Sequence, residues 1–356
     1  MITHIRSLIR LIDLTSVILL ARFTIVFIQL FVKRCPPKEM AIVAIRNKVS
    51  NGIEDRVKVY FDLLSKADTK FAFFEIEIKK TIPSIFYLLR VLHLHLRYKI
   101  QIILIDYQYL TRFPNISLVA LLQRISSFLC VWFETFDENS IEARIVPTLT
   151  VITRHVVADD PTLRILKYAK VSKSGAEFIF FPFPVFPKKM FYNFDEFERS
   201  ETICFFGVID SSIGHQERSG YLEALRVNGF EICGFQSGPN SKKYRPPYLQ
   251  MLNVLRSSKI GLNFSNHGGI GAVTNRVLET IASGAVLFST NEKILTEILT
   301  PQEDYIVFES AEDLITKVHS ISNDIDLLTR MSSSASKKLS SKYSAECFVN
   351  LITDSN

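Results

Sequence analysis

Paired cysteines are missing from this sequence. The five that occur, Cys35, Cys130, Cys204, Cys233 and Cys347, lie far apart, are odd in number and show no CxxC or Cys/His ligand spacing. That argues against a disulfide framework and a zinc site, and a reduced cytosol becomes the expected compartment. Cys130, Cys204 and Cys233 sit in apolar runs where small buried thiols are ordinary. Tryptophan occurs once, at Trp132, and reads as core. Charge is also sparing: 22% of residues are charged and the net is only +6 over 356 residues. No Arg/Lys stripe interleaved with aromatics accompanies it, so nucleic acid is a poor partner. Phosphorylated ligands or an anionic membrane surface suit a mild positive excess better. Fixed-period repeats and low-complexity tracts are absent too, and 47% hydrophobic content marks a globular chain of about two domains.

Nor is any apolar run long enough and clean enough to be a plain membrane span. Leu14 to Val32 comes nearest, but Arg22 stands at its centre and Thr15, Arg22 and Gln29 form a narrow polar stripe every seven residues, extended by Lys33. A central arginine costs an isolated span ~2.5 kcal/mol or more. A helix lying in the interface, with Arg22 and Lys33 reaching headgroups, avoids that cost; a spanning anchor and a helix packed on the protein are the alternatives. Residues 1–35 are therefore expected to be a membrane-associating amphipathic helix, with the protein at the cytoplasmic inner face of the plasma membrane.

What is present is an alternation of short apolar runs and helical stretches. Strands are expected at Met40–Ile45, Phe71–Ile76, Ile100–Ile105, Phe128–Phe133, Thr148–Thr153 and Glu177–Phe181. Helices fall between them at Glu54–Lys66, Ile82–Tyr98, Leu118–Ser127 and Thr162–Lys170. Such alternation predicts parallel βαβ units. Pro182–Ser200, with three prolines, breaks the rhythm and reads as a linker. A second alternating unit follows, closing with helices over Ala311–Ser320 and Asp324–Lys338. The expected architecture is α/β: two doubly wound, Rossmann-like domains facing across a cleft, over 36–190 and 200–345, with 346–356 as a tail.

Lys259 to Thr290 carries the most chemistry. It reads as a buried strand, a glycine-rich loop, a helix opening with Thr-Asn, and a second strand. That order sets amide N–H groups and a helix N-terminus at the carboxyl end of a parallel strand, where doubly wound folds hold phosphates. At 100° per residue, Leu278, Ile281, Ala282 and Ala285 share one helix face and Arg276, Glu279, Thr280 and Ser283 the other. Gly269, Gly271, Thr274 and His267 line the expected phosphate cradle, and Arg218 is a further cation early in the second unit. Asp324-Ile325-Asp326 opens a late helix and reads as an N-cap, so no metal site is expected.

Ser258–Asn263, Arg276-Val277-Leu278-Glu279 and Ala282-Ser283-Gly284-Ala285 resemble the nucleotide-binding domain of GT-B glycosyltransferases. The likeness runs over roughly residues 200–345 and is nearest to the bacterial group-1 branch related to spore-maturation glycosyltransferase-like proteins. It implies GT-B architecture and transfer of a sugar from a nucleotide-diphosphate donor, a co-substrate, with no cofactor or essential metal. The acceptor would be a glycan or lipid-linked glycan of a surface polysaccharide. Glu279 matches the carboxylate that holds the donor ribose, and Arg276 the cation that meets the departing diphosphate. One departure stands out: retaining members often carry a carboxylate eight residues before the ribose glutamate, where this chain has Gly271. Asn263–Asn266 and Thr274–Arg276 also resemble the inverting α-1,3-fucosyltransferases, which implies GDP-fucose as an alternative donor. A catalytically silent nucleotide-sugar-binding module is a third reading. An inverting transfer needs a base from the first domain; Asp137 is the first candidate, with Glu134 and His155 beside it.

Overall fold

A computed structural model describes residues 40–47, 56–67, 70–78, 90–91, 93–94, 97–106, 127–131, 154–158, 177–208, 213–234, 236–237, 247–264, 273–290 and 293–354. The helix expected over 14–32, residues 118–126 of the next, the helix over 162–170, the strand over 148–153, and Glu134, Asp137, His267, Gly269 and Gly271 lie outside them. Among the described residues no helix is long and apolar enough to cross a membrane.

The first sheet is built from β1 (Met40–Asn47), β2 (Ala72–Ile78), β3 (Lys99–Asp106), β4 (Ser127–Val131), β5 (Arg154–Val157) and β6 (Glu177–Phe180). Its order is β2-β1-β3-β4-β5-β6, with every pairing parallel. Near-continuous apolar strands suit a sheet covered on both faces; Ala41–Ala44 and Ile102–Leu104 are buried accordingly. Helix α1 (Arg56–Leu64) joins β1 to β2. The strand expected over Thr148–Thr153 lies outside the described residues, and β5 begins directly after it. Arg154 and His155 look polar in sequence, yet Arg154 pairs with Glu177 across β5 and β6 at 3.0 Å, which lets the charged end join the ladder.

The second sheet contains β7 (Glu201–Cys204), β9 (Ile232–Cys233), β11 (Ser258–Asn263), β12 (Val286–Thr290) and β13 (Ile306–Phe308), in the order β13-β12-β11-β7-β9. It too is wholly parallel. The apolar run over residues 202–208 is broken after Cys204, and β8 (Gly207–Val208) pairs with β10 (Gln236–Ser237). Helices α2 (Ile213–Val227), α3 (Tyr248–Arg256), α4 (Asn275–Ala282), α5 (Lys293–Thr296), α6 (Ala311–Ile321) and α7 (Ile325–Tyr343) follow. Because β9 lies on one side of β7 and β11 on the other, the strand order reverses between β7 and β11. Open α/β sheets bind ligands outside the carboxyl ends of strands at such a point.

Two expectations are corrected. Residues 346–356 are not a tail: α8 (Ala345–Asp354) packs Phe348, Val349 and Ile352 into the core cluster that also holds Ile42 and Ile102 of the first sheet. The segment 182–200 is not a bare linker either. Phe181, Phe183, Val185 and Phe186 are buried, and Phe348 meets the rings of Phe181 and Phe183 at 5.0 and 5.5 Å. Ala345 N–H donates to Phe186 O and Lys188 N–H to the Glu346 carboxylate, so α8 clamps the crossover.

Candidate functional site

Helix α4 begins at the switch point of the second sheet. Thr274 holds the N-cap position with extended dihedrals (φ −69°, ψ 156°), yet its side chain makes no capping bond. Its hydroxyl instead donates to Asn263 Oδ1 at 2.6 Å, and Asn263 Nδ2 donates to Ser289 Oγ at 2.9 Å. Asn263 ends β11 and Ser289 lies near the end of β12, both buried. One chain of side-chain bonds thus ties two strand ends to the start of α4.

Arg276 leans into the same corner from the first turn of α4. Its Nε donates to Phe206 O, and its guanidinium sits 5.5 Å from the Phe205 ring centroid. The backbone there is crowded: a Cβ on Gly207 would come within 2.4 Å of the Phe205 ring and 3.2 Å of the Arg276 guanidinium. Arg218 approaches the same ring, with its guanidinium 5.6 Å from the Phe205 centroid and 6.0 Å from that of Phe264. At 1% exposure it is an enclosed cation. Its position in the second turn of α2, not at that helix's start, accounts for this.

The two-faced helix of the sequence is buried throughout Val277–Ala282. Leu278 and Ile281 join the cluster shared with α7 and α8, while Thr280 packs on β11 so closely that a Cβ at Gly261 would meet it at 2.5 Å. Its polar face is therefore a sheet-facing seam, not a solvated one. Glu279, 3% exposed, stands one turn beyond Asn275, about 6 Å along the axis.

The corner faces the first sheet. Val273 N–H donates to Ala158 O at 2.9 Å, just past the end of β5, and Asn275 Nδ2 donates to the Tyr60 hydroxyl of α1 at 2.7 Å. Thr274, Asn275 and Arg276 remain partly exposed at this seam. Of the first-domain candidates, His155 is placed where it cannot serve as a base. It lies inside β5, 1% exposed, with its ring stacked on Phe178 at 5.0 Å. β5 runs through His155, a residue expected just beyond a strand end.

At the amino edge of the same sheet sits a residue the sequence did not flag. Arg199 donates to carbonyls of Asn193, Phe194, Leu255, Arg256, Ser258 and Ser283, and lies 4.9 Å from the Phe194 ring. Burial pulls its pKa down to about 10, with Asp195 and Glu196 opposing that shift, so it stays charged at neutral pH. No local signal marks it, because its partners are carbonyls up to 84 residues away.

Two wholly parallel, doubly wound sheets joined at a seam, with a polar corner at the switch point of the second, define the GT-B class. The chain has the fold of GT-B glycosyltransferases, as its resemblance implied. More narrowly, residues 218–352, from Arg218 to within α8, match the family model described as glycosyl transferase-like. No curated protein matches. Among solved structures, HepE from Anabaena, in complex with UDP-glucose, aligns over 88% of this chain and 98% of its own at 8% identity, TM-score 0.51. Sucrose-phosphate synthase from Thermosynechococcus elongatus covers 88% and 98% at 12% identity, TM-score 0.50. The N-terminal domain of trehalose-6-phosphate phosphatase from Candida albicans covers 89% and 97% at 9% identity, TM-score 0.56. At such identities the likeness is one of fold.

Proposed function

We propose that the protein is a glycosyltransferase that moves a sugar from a nucleotide-diphosphate donor to a glycan or lipid-linked acceptor. The observation that carries this reading is the gathering of Thr274, Arg276 and Arg218 at the switch point, in a unit matching the glycosyl transferase-like family. The acceptor hydroxyl attacks the anomeric carbon, the bond from that carbon to the diphosphate oxygen breaks, and the diphosphate leaves as an anion. Arg276 meets that charge at the seam, aided by the positive end of α4, while enclosed Arg218 adds its field from behind. Glu279 accepts from the ribose hydroxyls, in surroundings dry enough to strengthen each bond. The acceptor's proton goes to a carboxylate of the first domain, Asp137 or Glu134, with His155 withdrawn from that role. Gly269, Gly271 and His267 complete the donor cradle, and residues 1–35 hold the protein at an anionic membrane surface.

A thermal-shift panel of UDP, GDP and their sugars tests the donor site. A ligand at 100 times its dissociation constant adds about 2.7 kcal/mol of stability. A shift with one diphosphate family, followed by release of that diphosphate from its sugar, supports the reading; no shift with any of them overturns it. UDP-sugars come first, because the similar fold of HepE holds UDP-glucose, and GDP-fucose second. Gly271, in place of a carboxylate, favours one further reading, a module that binds donor without turnover. Binding without diphosphate release would establish it.

A further inference from the structure

A threonine at an N-cap ordinarily accepts a bond from an amide of its own first helical turn. Thr274 has the position and the dihedrals for that bond and does not make it. Its hydroxyl is drawn away by Asn263, 11 residues earlier, at 2.6 Å. Asn263 is itself held in place, its amide bonded also to Ser289 Oγ at 2.9 Å, and both residues are buried.

We propose that Asn263 is a positioning residue for the donor site, holding the Thr274 hydroxyl off the first turn of α4 so that the donor diphosphate can take the amides there. This rests on the donor-site reading above. An amide can serve its own cap or an external anion, and a self-capped helix would make the ligand compete with a covalently attached neighbour. Pulling the cap aside removes that competition before the ligand arrives. The result is preorganisation: no side chain has to leave the first turn when the anion binds, although Val277 N–H is already given to Thr274 O at 3.0 Å.

Calorimetric titration of the full chain with UDP, GDP and inorganic pyrophosphate tests this. Asn263→Ala frees Thr274 to cap its own helix and is expected to weaken binding about five-fold or more, the worth of an N-cap bond. Adding Thr274→Val removes the competitor, and the double variant should bind more tightly than Asn263→Ala alone. Both variants leave Ser289 equally short of its donor, so general damage is common to the two and the difference reports Thr274 alone. A single variant that binds as well as the parent overturns the proposal, and so does a double variant no better than the single. Where Asn263→Ala does not fold, Ser289→Ala carries the test: it unpins the amide and should weaken binding less, and unchanged binding overturns the proposal. A parent protein that binds none of the three probes sinks the donor-site reading itself, which is a separate result.

Discussion

Helices α4 and α6 start at the same edge of the same sheet and are finished in opposite ways. At α6, Ser310 Oγ accepts from Asp313 N–H at 3.1 Å, Asp313 Oδ2 accepts from Glu309 N–H at 3.0 Å, and Glu312 and Asp313 place acid in the first turn. The next helix, α7, is closed alike, with Asp324 accepting from Leu327 N–H at 2.9 Å. At α4 no side chain caps the helix and no acid stands in the first turn. Protein atoms thus complement the positive end of α6, whereas at α4 the cap residue is turned aside and an arginine is added. α3 also starts without a side-chain cap, on Pro247, but among these uncapped starts α4 is the one with a polar N-cap residue bonded elsewhere and an arginine in its first turn.

The far end of α4 is as closed as its near end is open, which gives the comparison its sharpest break. Gly284 (φ +75°) closes a Schellman turn, with Ala285 N–H to Thr280 O at 3.3 Å and Gly284 N–H to Ile281 O at 3.0 Å. Arg199 then caps Ser283 O, together with the carbonyls ending α3. Arg199→Ala should cost about 3 kcal/mol or more, because several inward carbonyls lose a charged donor at once. Chemical denaturation should show that loss, while the folded fraction still binds diphosphate with parental affinity. Arg276→Ala should do the reverse. It should weaken UDP or GDP binding by about 2 kcal/mol, near thirty-fold, with a much smaller shift in melting temperature. Equal damage to stability and binding in both variants would erase the distinction between the two ends.

Ser310→Ala probes the finished helix. Losing a serine N-cap should cost about 1 kcal/mol of stability, read in denaturant midpoint, and leave diphosphate affinity untouched. An effect on binding there would mean that α6, not only α4, meets the ligand.

Much of this arrangement was legible in the sequence, for physical reasons that also mark where it stopped. Parallel strands such as β1 and β3 are apolar on both faces, so continuous runs disclosed them. The order strand, glycine loop, helix placed Thr274 and Arg276 at a strand's carboxyl end, and that is where they lie. β5 gave no apolar-run signal at Arg154, because the partner that satisfies it there, Glu177, is invisible at short range. Helix α8 was missed although it carried a signal: Ser344 Oγ accepts from Cys347 N–H at 3.3 Å, a serine cap hidden at the end of a serine-rich run. Arg199 and the Asn263–Ser289 bond were beyond reach, since both depend on strand ends that only the completed sheet brings together.

The smallest effect bears on the acid that α6 has and α4 lacks. Asp313 is held below its ordinary value of 3.8, chiefly by the Lys317 side chain at 2.7 Å and further by the Glu309 N–H, against the opposing effect of burial. A carboxyl depressed in the fold adds stability above its unfolded pKa and loses it as pH falls through the folded one. Asp313→Asn should therefore be less stable than the parent at pH 7, by under about 1 kcal/mol because the pair is partly solvated. The gap should close on acidification below 3.8, where the unfolded chain takes up its proton first. Salt should shrink it as well, since a half-exposed pair is screened. No gap at pH 7 would place the stabilisation in the Glu309 bond, which an asparagine oxygen can also accept, and not in charge. Finished helix ends would then owe their closure to hydrogen bonding alone, and the missing acid at α4 would say nothing about an anion.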